Sequence, residues 1–322
     1  MRTKRLVCTE QGRVELLEMD VPAPQEGEVL VRTLRTLICV GTERAFMLGL
    51  ENTPLRYPDY YWGYSNVGEV IEVGPGVEGF AAGDLVAGDG FHAGHAIISR
   101  ERLAHVPDGL DPEAAVFFHL GTIALQGVRK PRIELGERVA VMGQGTIGNL
   151  AMQQAKLCGG MPVVAVDLDD RRLQVALECG ADETVNPREV DLLTAAPPQV
   201  VIEATGSPEA IVSAFQWTQR MGRVVLLAST RGNPEINFYR DVHKKGLIIH
   251  GASNGSRQRE ESAPVYWTWL DDCQVVLALL AAGKLVVEPL VSHRVTPEES
   301  LDIYEAMRTD PQSMLAPIIV WD

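Results

Sequence analysis

The chain has no way to pair its sulfurs locally. Its five cysteines (Cys8, Cys39, Cys158, Cys179 and Cys273) are odd in number, widely spread and never arranged as CxxC. That argues against a disulfide framework and leaves reduced, mostly buried thiols as the simplest reading. Long hydrophobic runs are also missing. Stretches such as 275–282 are far too short to cross a bilayer, and the opening MRTKRLVCTEQG has no apolar signal core. A cytosolic protein with no membrane partner is expected. Positive charge is scarce, with 29 Lys and Arg against 43 Asp and Glu, a net charge of −14 and no basic cluster. This excludes nucleic acid as the natural partner and favours a small molecule. Aromatic residues make up only 6% of the chain, yet they cluster in Tyr57-Pro58-Asp59-Tyr60-Tyr61-Trp62-Gly63-Tyr64 and again at Tyr266, Trp267 and Trp269. Aromatic faces beside polar tips suit a sugar, a cyclitol or a flat ring system; packing or subunit contacts explain them equally well.

The most informative stretch that is present runs from Arg138 to Asp167, RVAVMGQGTIGNLAMQQAKLCGGMPVVAVD. It reads as strand, glycine turn, helix, strand and terminal carboxylate, the pattern of a dinucleotide site. Gly143 permits the tight turn, Gly145 lets backbone approach a pyrophosphate, and Gly148 lets the helix pack closely on the strand. Thr146 and Ile147 open that helix, whose N-terminus favours phosphate. Asp167 lies 19 residues beyond Gly148, where a carboxylate can accept hydrogen bonds from the adenosine ribose. NAD is therefore the expected cofactor, because a 2′-phosphate would bring about two negative charges against Asp167, Asp169 and Asp170. Arg171 and Arg172 count the other way, since a basic residue past the strand can accommodate that phosphate. Further along, Thr205 in Glu203-Ala204-Thr205-Gly206, and Ser229, stand at the carboxyl ends of later strands, where ligands bind in such sheets.

Around this stretch the pattern divides the chain. Residues 1–121 show short strands and turns with no long amphipathic helix, such as 29–33, 67–73 and 85–87, which suggests a partly open β-barrel. Residues 122–257 alternate strand and helix, with strands expected at 139–142, 163–167, 200–203, 223–228 and 247–250. This is an α/β doubly wound parallel sheet. Residues 258–322 hold an apolar helix at 275–282, a strand at 290–295, a helix at 297–308 with Thr296 as N-cap, and a last strand at 316–321.

The stretches VRTLRTLICVGTE, GYSNVGEVIEVGPGVEGFAAGDLV, EATGSPEAI and EPLVSHRV, with the nucleotide segment, resemble the medium-chain dehydrogenase/reductase superfamily across essentially the whole chain. The spacing resembles its polyol dehydrogenase-like branch, and the GTER and GYxxVGEV forms resemble zinc-free members related to bacteriochlorophyllide dehydrogenase. The resemblance implies that the first part and the tail together form one GroES-like catalytic domain beside a Rossmann domain. It further implies a nicotinamide held in the cleft between them and a homodimer joined through the sheet edge near 247–251. Zinc-dependent relatives use a Cys directly before a GT pair, a His in a GHE motif and a third Cys, Asp or Glu. Here those positions hold Val40, Tyr64 and His119, with Cys39 one place off and, on a strand, facing the opposite way. The four-cysteine lobe is missing too, so neither a structural nor a catalytic zinc is expected; a remnant site built from Glu43 and His119 is the alternative.

Without zinc, protein groups must handle the alcohol proton. His119 is the first candidate, because imidazole titrates near neutral pH. Tyr64 is the second, better suited to donating a hydrogen bond than to acting as a base. Thr42 matches the family's hydroxyl relay position and Glu43 its acidic supporting position. Each also has a plainer reading: a packed histidine, a tyrosine filling space, a strand threonine, and a glutamate paired with Arg44. His92 and His95 read more readily as core or surface histidines than as substrate contacts. The function expected is a zinc-independent, NAD-dependent oxidoreductase interconverting a secondary alcohol of sugar, amino sugar, cyclitol or polyol type with its ketone. The alternatives are a quinone or enoyl reductase and a non-catalytic NAD-binding protein.

Overall fold

A computed structural model of the chain describes residues 1–189, 196–257, 261–264 and 266–322. They form two compact units, one made of Met1–His119 with Cys273–Asp322 and the other of Leu120–Asp272.

The first unit opens with the antiparallel hairpin β1 (Arg2–Glu10) and β2 (Arg13–Asp20), followed by β3 (Glu28–Leu37), α1 (Val40–Leu48), β4 (Asn66–Val73), β5 (Leu85–Gly88), β6 (His95–Ser99), β7 (Leu103–His105), the short α2 (Pro112–Ala115) and the start of α3 (Phe118–Arg129). β3 is the hub, pairing antiparallel with both β4 and β6. Its inward side chains Val29 and Val31 meet Val70, Val86, Ala96, Ile98 and Leu103 in one apolar core, as alternation along half-buried strands requires.

The segment after β3 corrects the expectation of a strand through Cys39 and Thr42. The chain turns there into α1, with Cys39 as N-cap and Gly49 closing the helix in the left-handed region at φ 62°. The Glu43 carboxylate accepts the Cys39 backbone N–H at 2.8 Å, satisfying a donor that helix formation would otherwise strand. Cys39 and Thr42 therefore lie on a helical turn, and opposite-face strand reasoning does not apply to them.

In the second unit β8 (Val139–Met142), α4 (Thr146–Leu157), β9 (Val163–Val166), α5 (Asp170–Glu178), β10 (Glu183–Val185), β11 (Val200–Glu203), α6 (Pro208–Trp217), β12 (Arg223–Leu226) and β13 (Ile248–Gly251) follow in order. The sheet order is β10-β9-β8-β11-β12-β13, all parallel. That is the doubly wound arrangement, with its switch point between β8 and β11. Strands β8, β9 and β11 are buried at every residue, which explains why they read as unbroken apolar runs. Among the described residues β13 pairs with β12 alone, and Ile248 and Ile249 on it are exposed.

The chain then passes through α7 (Trp269–Ala281) to β14 (Val291–Val295), α8 (Ser300–Thr309) and β15 (Ala316–Val320). β15 lies between β14 and β3, so the tail completes the first unit's sheet. Thr296 and Glu299 exchange backbone and side-chain hydrogen bonds at 2.9–3.2 Å in the turn before α8, which begins at Ser300 with Glu299, not the expected Thr296, at its N-cap. The sequence pattern placed the divisions at 121/122 and 257/258, whereas the compact units divide at 119/120 and 272/273. The reason for the second difference is Asp272. Its fully buried carboxylate accepts from Gln126 at 2.9 Å and pairs with Arg129 at 3.2 Å and Arg257 at 3.6 Å, while Arg129 stacks on Trp267 at 3.8 Å. These contacts hold the segment up to Asp272 in the nucleotide unit. Removing one partner of a buried ion cluster typically costs about 3–5 kcal/mol. Asp272→Ala should therefore lower stability by about that amount, seen as a fall in the urea midpoint; an unchanged midpoint would contradict this account.

Candidate active site

In the second unit the glycine turn is built as its sequence predicts. Gly143 has φ +88°, and a Cβ there would stand 2.7 Å from Thr205 Cγ2; a Cβ on Gly148 would stand 1.8 Å from the Gly143 carbonyl oxygen. Those two glycines are demanded by the fold itself. Gly145 is different. It has an ordinary φ of −66°, and the nearest atom to a Cβ would be Arg172 Nη1 at 4.0 Å. The open space at Gly145 is a cradle that a side chain would occupy, and it fits a pyrophosphate against backbone. Thr146 and Ile147 form the first turn of α4, which carries no acidic residue there, so the positive end of the helix is unopposed.

Asp167 is the first residue beyond β9. Its Oδ2 accepts the Gln144 N–H at 2.6 Å and its Oδ1 the Asp169 N–H at 3.0 Å, which ties the carboxylate to the glycine turn and leaves lone pairs for ribose hydroxyls. Arg171 turns back onto Asp169 at 2.8 Å, whereas Arg172 points toward the turn. Thr205 and Ser229 are exposed beyond β11 and β12. Their two loops touch, because a Cβ on Gly206 would lie 2.4 Å from the Ser229 carbonyl. The residue that sequence reasoning missed here is Glu203. It is fully buried, its Oε1 accepts the N–H groups of Thr205 and Gly206 at 2.7 and 3.0 Å together with the Thr205 hydroxyl, and burial raises its pKa. A carboxylate closing the apolar run VVIE was the signal.

In the first unit three of the four proposed catalytic residues come together. The His119 and Tyr64 rings lie 4.8 Å apart between centroids, and Tyr64 has the Cys39 thiol and the Thr42 hydroxyl as polar neighbours. Burial, and then Cys39, hold the Tyr64 phenol well above its usual value. Burial likewise raises the Cys39 thiol, which donates to Thr42 Oγ1 at 3.4 Å. Glu43 is engaged elsewhere. Besides the Cys39 N–H, it accepts the Tyr304 hydroxyl at 2.6 Å and lies 3.3 Å from His92 Nε2. It does not pair with Arg44, which donates to the Met307 carbonyl. His92 is fully buried and packs on Gly63, where a Cβ would be 2.5 Å from the ring, so it is a core histidine. His95 contacts Thr3 at 3.4 Å. Glu43 is thus a positioning residue for the first turn of α1.

The donor set does not fit a tetrahedral zinc, which takes Cys, His or carboxylate ligands. Val40 and Tyr64 offer an aliphatic chain and a neutral phenol. Among the described residues no three His, Cys, Asp or Glu side chains stand close enough to hold a metal.

Residues 25–108 match the alcohol dehydrogenase GroES-like domain and residues 146–271 the zinc-binding dehydrogenase family. L-threonine 3-dehydrogenase of Thermococcus kodakarensis is 30% identical over 92% of each chain. D-guloside 3-dehydrogenase of Escherichia coli K12 is 30% identical over 78% of this chain and 74% of its own. Among solved structures, a zinc-binding-dehydrogenase-like protein of Sinorhizobium meliloti 1021 bound to NADP superposes with a TM-score of 0.87 over 99% of both chains at 22% identity. The chain belongs to the medium-chain dehydrogenase/reductase superfamily, with the GroES-like and Rossmann-like halves of an alcohol dehydrogenase-type oxidoreductase.

The two kinds of glycine should separate experimentally. Gly148→Ala forces backbone apart and should cost about 1–3 kcal/mol of stability. Gly145→Ala should cost about 1 kcal/mol or less, as an N-cap change, yet weaken NADH binding at least about tenfold in a fluorescence titration, since about 1.4 kcal/mol of lost contact is tenfold. Equal NADH affinity in Gly145→Ala and the parent would remove Gly145 from the site.

Proposed function

We propose that this protein is an NAD-dependent dehydrogenase that interconverts a secondary alcohol and its ketone without zinc. The observation that supports the reading is the Tyr64–His119 ring pair, with Thr42 as a polar neighbour of Tyr64, at positions the family resemblance implies for metal ligands. NAD is favoured by Asp167, whose carboxylate sits at the end of β9 and is anchored to the glycine turn. Gly143, Gly145, Thr146, Ile147, Gly148, Asp167, Arg172, Thr205 and Ser229 would hold it. Arg172 lies beside the turn, its Nη1 being 4.0 Å from where a Cβ on Gly145 would stand. Bound NAD⁺ supplies the hydride acceptor.

The work left to the chain is to orient the alcohol oxygen and take its proton. Tyr64, kept protonated by its buried setting, donates a hydrogen bond to that oxygen. His119 accepts the proton as the carbonyl forms, and returns it in the reverse direction. Thr42 supplies a further hydroxyl, positioned through Glu43 and the first turn of α1. The relatives named as threonine and guloside 3-dehydrogenases favour a hydroxyl inside a polar molecule, so sugars, amino sugars, cyclitols and polyols form the substrate class. A homodimer through β13, whose Ile248 and Ile249 are exposed, and a cytoplasmic location complete the reading. No helix among the described residues is long and apolar enough to cross a membrane.

Metal-analysed protein given NAD⁺ and a panel of such alcohols should form NADH at a rate indifferent to chelator, and a strict zinc requirement would overturn the mechanism. His119→Gln should lower kcat by about 10²- to 10⁴-fold, the usual contribution of a positioned acid/base group, and Tyr64→Phe should also slow turnover. Full turnover in both variants would remove the pair from catalysis. Because burial holds the Tyr64 phenol well above its ordinary value, the pH–rate profile should show no limb from its ionisation below about pH 10. NADPH preference with quinones would instead favour the reductase alternative.

A further inference from the structure

The aromatic segment that opens the catalytic frame surrounds an unusual cation. Arg5, on β1, stands over the Phe91 ring at 4.1 Å and the Tyr61 ring at 5.5 Å from their centroids, and the two rings meet edge to face at 5.0 Å. Its Nε and Nη2 are closed off from solvent without a hydrogen-bond partner, which leaves Nη1 as the nitrogen solvent can reach. Burial lowers the pKa of this guanidinium, and Tyr61 and Asp59 offset that only in part. Asp59, however, forms no ion pair with it and instead accepts the Tyr61 N–H at 2.9 Å. A half-buried guanidinium that no carboxylate among the described residues pairs with directly stands out, because buried charges ordinarily find a partner. Stacking on aromatic faces compensates only in part.

The surroundings point to what the partner is. Tyr61, against which the guanidinium stands, leaves 70% of its surface exposed, and Tyr60, its neighbour in sequence, 42%; such aromatic surface suits the C–H side of a sugar. The same loops carry the catalytic frame: Tyr61 is three residues before Tyr64, and Phe91 directly precedes His92, which is locked against Glu43 and Gly63. A guanidinium recognises carboxylate and phosphate oxygens above other groups.

We propose that Arg5, with Tyr60 and Tyr61, forms a substrate subsite that reads an anionic substituent, so that the preferred substrates are acidic sugars or polyols rather than neutral ones. This rests on the dehydrogenase reading, and the test keeps the two apart. NADH formation is compared for glucitol, gluconate and glucitol 6-phosphate, and the same three compounds are titrated in thermal-shift measurements on the full chain without NAD⁺.

The expected result is a kcat/KM at least about tenfold higher for an anionic member, carried mostly by KM, together with a raised Tm from that compound and not from glucitol. Whichever of gluconate and the phosphate shows it identifies the anion. Arg5→Met should erase the advantage and leave glucitol turnover unchanged. Should Arg5→Met not fold, Arg5→Lys reads the same point: a raised KM for the anionic member with an unchanged KM for glucitol supports the subsite, and no change in either overturns it. If no alcohol is turned over yet gluconate or the phosphate stabilises the parent and not the Arg5 variant, the dehydrogenase reading falls and the anion subsite stands. If neither anion is favoured in turnover or in Tm, the subsite is overturned and Arg5 is a staple between β1 and the aromatic loop.

Discussion

The buried Glu43 carboxylate is the interaction on which the first unit's candidate site depends. Three donors from three parts of the chain converge on it: the Cys39 N–H at the start of α1, the Tyr304 hydroxyl on α8 and the His92 ring beside Gly63. A carboxylate only accepts, and inside a protein an unanswered one is very costly. Meeting that need fixes the entry to α1 and hence Thr42, and seats the ring that packs under Gly63 just before Tyr64. Burial and the neighbouring carboxylate hold the Tyr304 phenol well above its normal range, which keeps it a donor. Here the carboxylate steadies a helix start.

The two units divide the labour of recognition differently. In the nucleotide unit the candidate groups are largely backbone: Gly143 and Gly148 are required by their neighbours, whereas nothing in the chain crowds Gly145. Glu203 has a structural part comparable to that of Glu43, holding the Thr205–Gly206 turn open at the end of β11. In the GroES-like unit the candidate groups Thr42, Tyr64 and His119 are side chains, and they lie on a loop and on helix starts rather than on the sheet.

How much could be read in the sequence follows from the range of the forces involved. Strands β8 and β11 were legible to the residue, because burial on both faces writes itself as a continuous apolar run. The glycine turn and Asp167 were legible for the same local reason. α1 was not: its helix begins after the strand-like run LRTLICV, and its N-terminal donor is answered by a side chain inside the helix rather than by the usual residue before it. The start of α7 was missed by six residues although its cue was present, since Thr268 and Asp271 form a capping pair with contacts at 2.7 and 3.2 Å. The Glu43 cluster was beyond reach. Its members are 49 and 261 residues apart, and no periodicity records a meeting of that kind.

The placement of β15 between β14 and β3 has a consequence for how the molecule is made. The nucleotide unit is continuous in sequence, so all six strands of its sheet are available once Asp272 has emerged from the ribosome. The first 119 residues, which arrive earlier, cannot close their sheet until the last strand, Ala316–Val320, is synthesised. At about 5–20 residues per second, the Arg35–Leu37 end of β3, which pairs with β15, waits tens of seconds for its partner. The part of the chain that carries the candidate acid/base residues is thus the first to be made and the last to be finished.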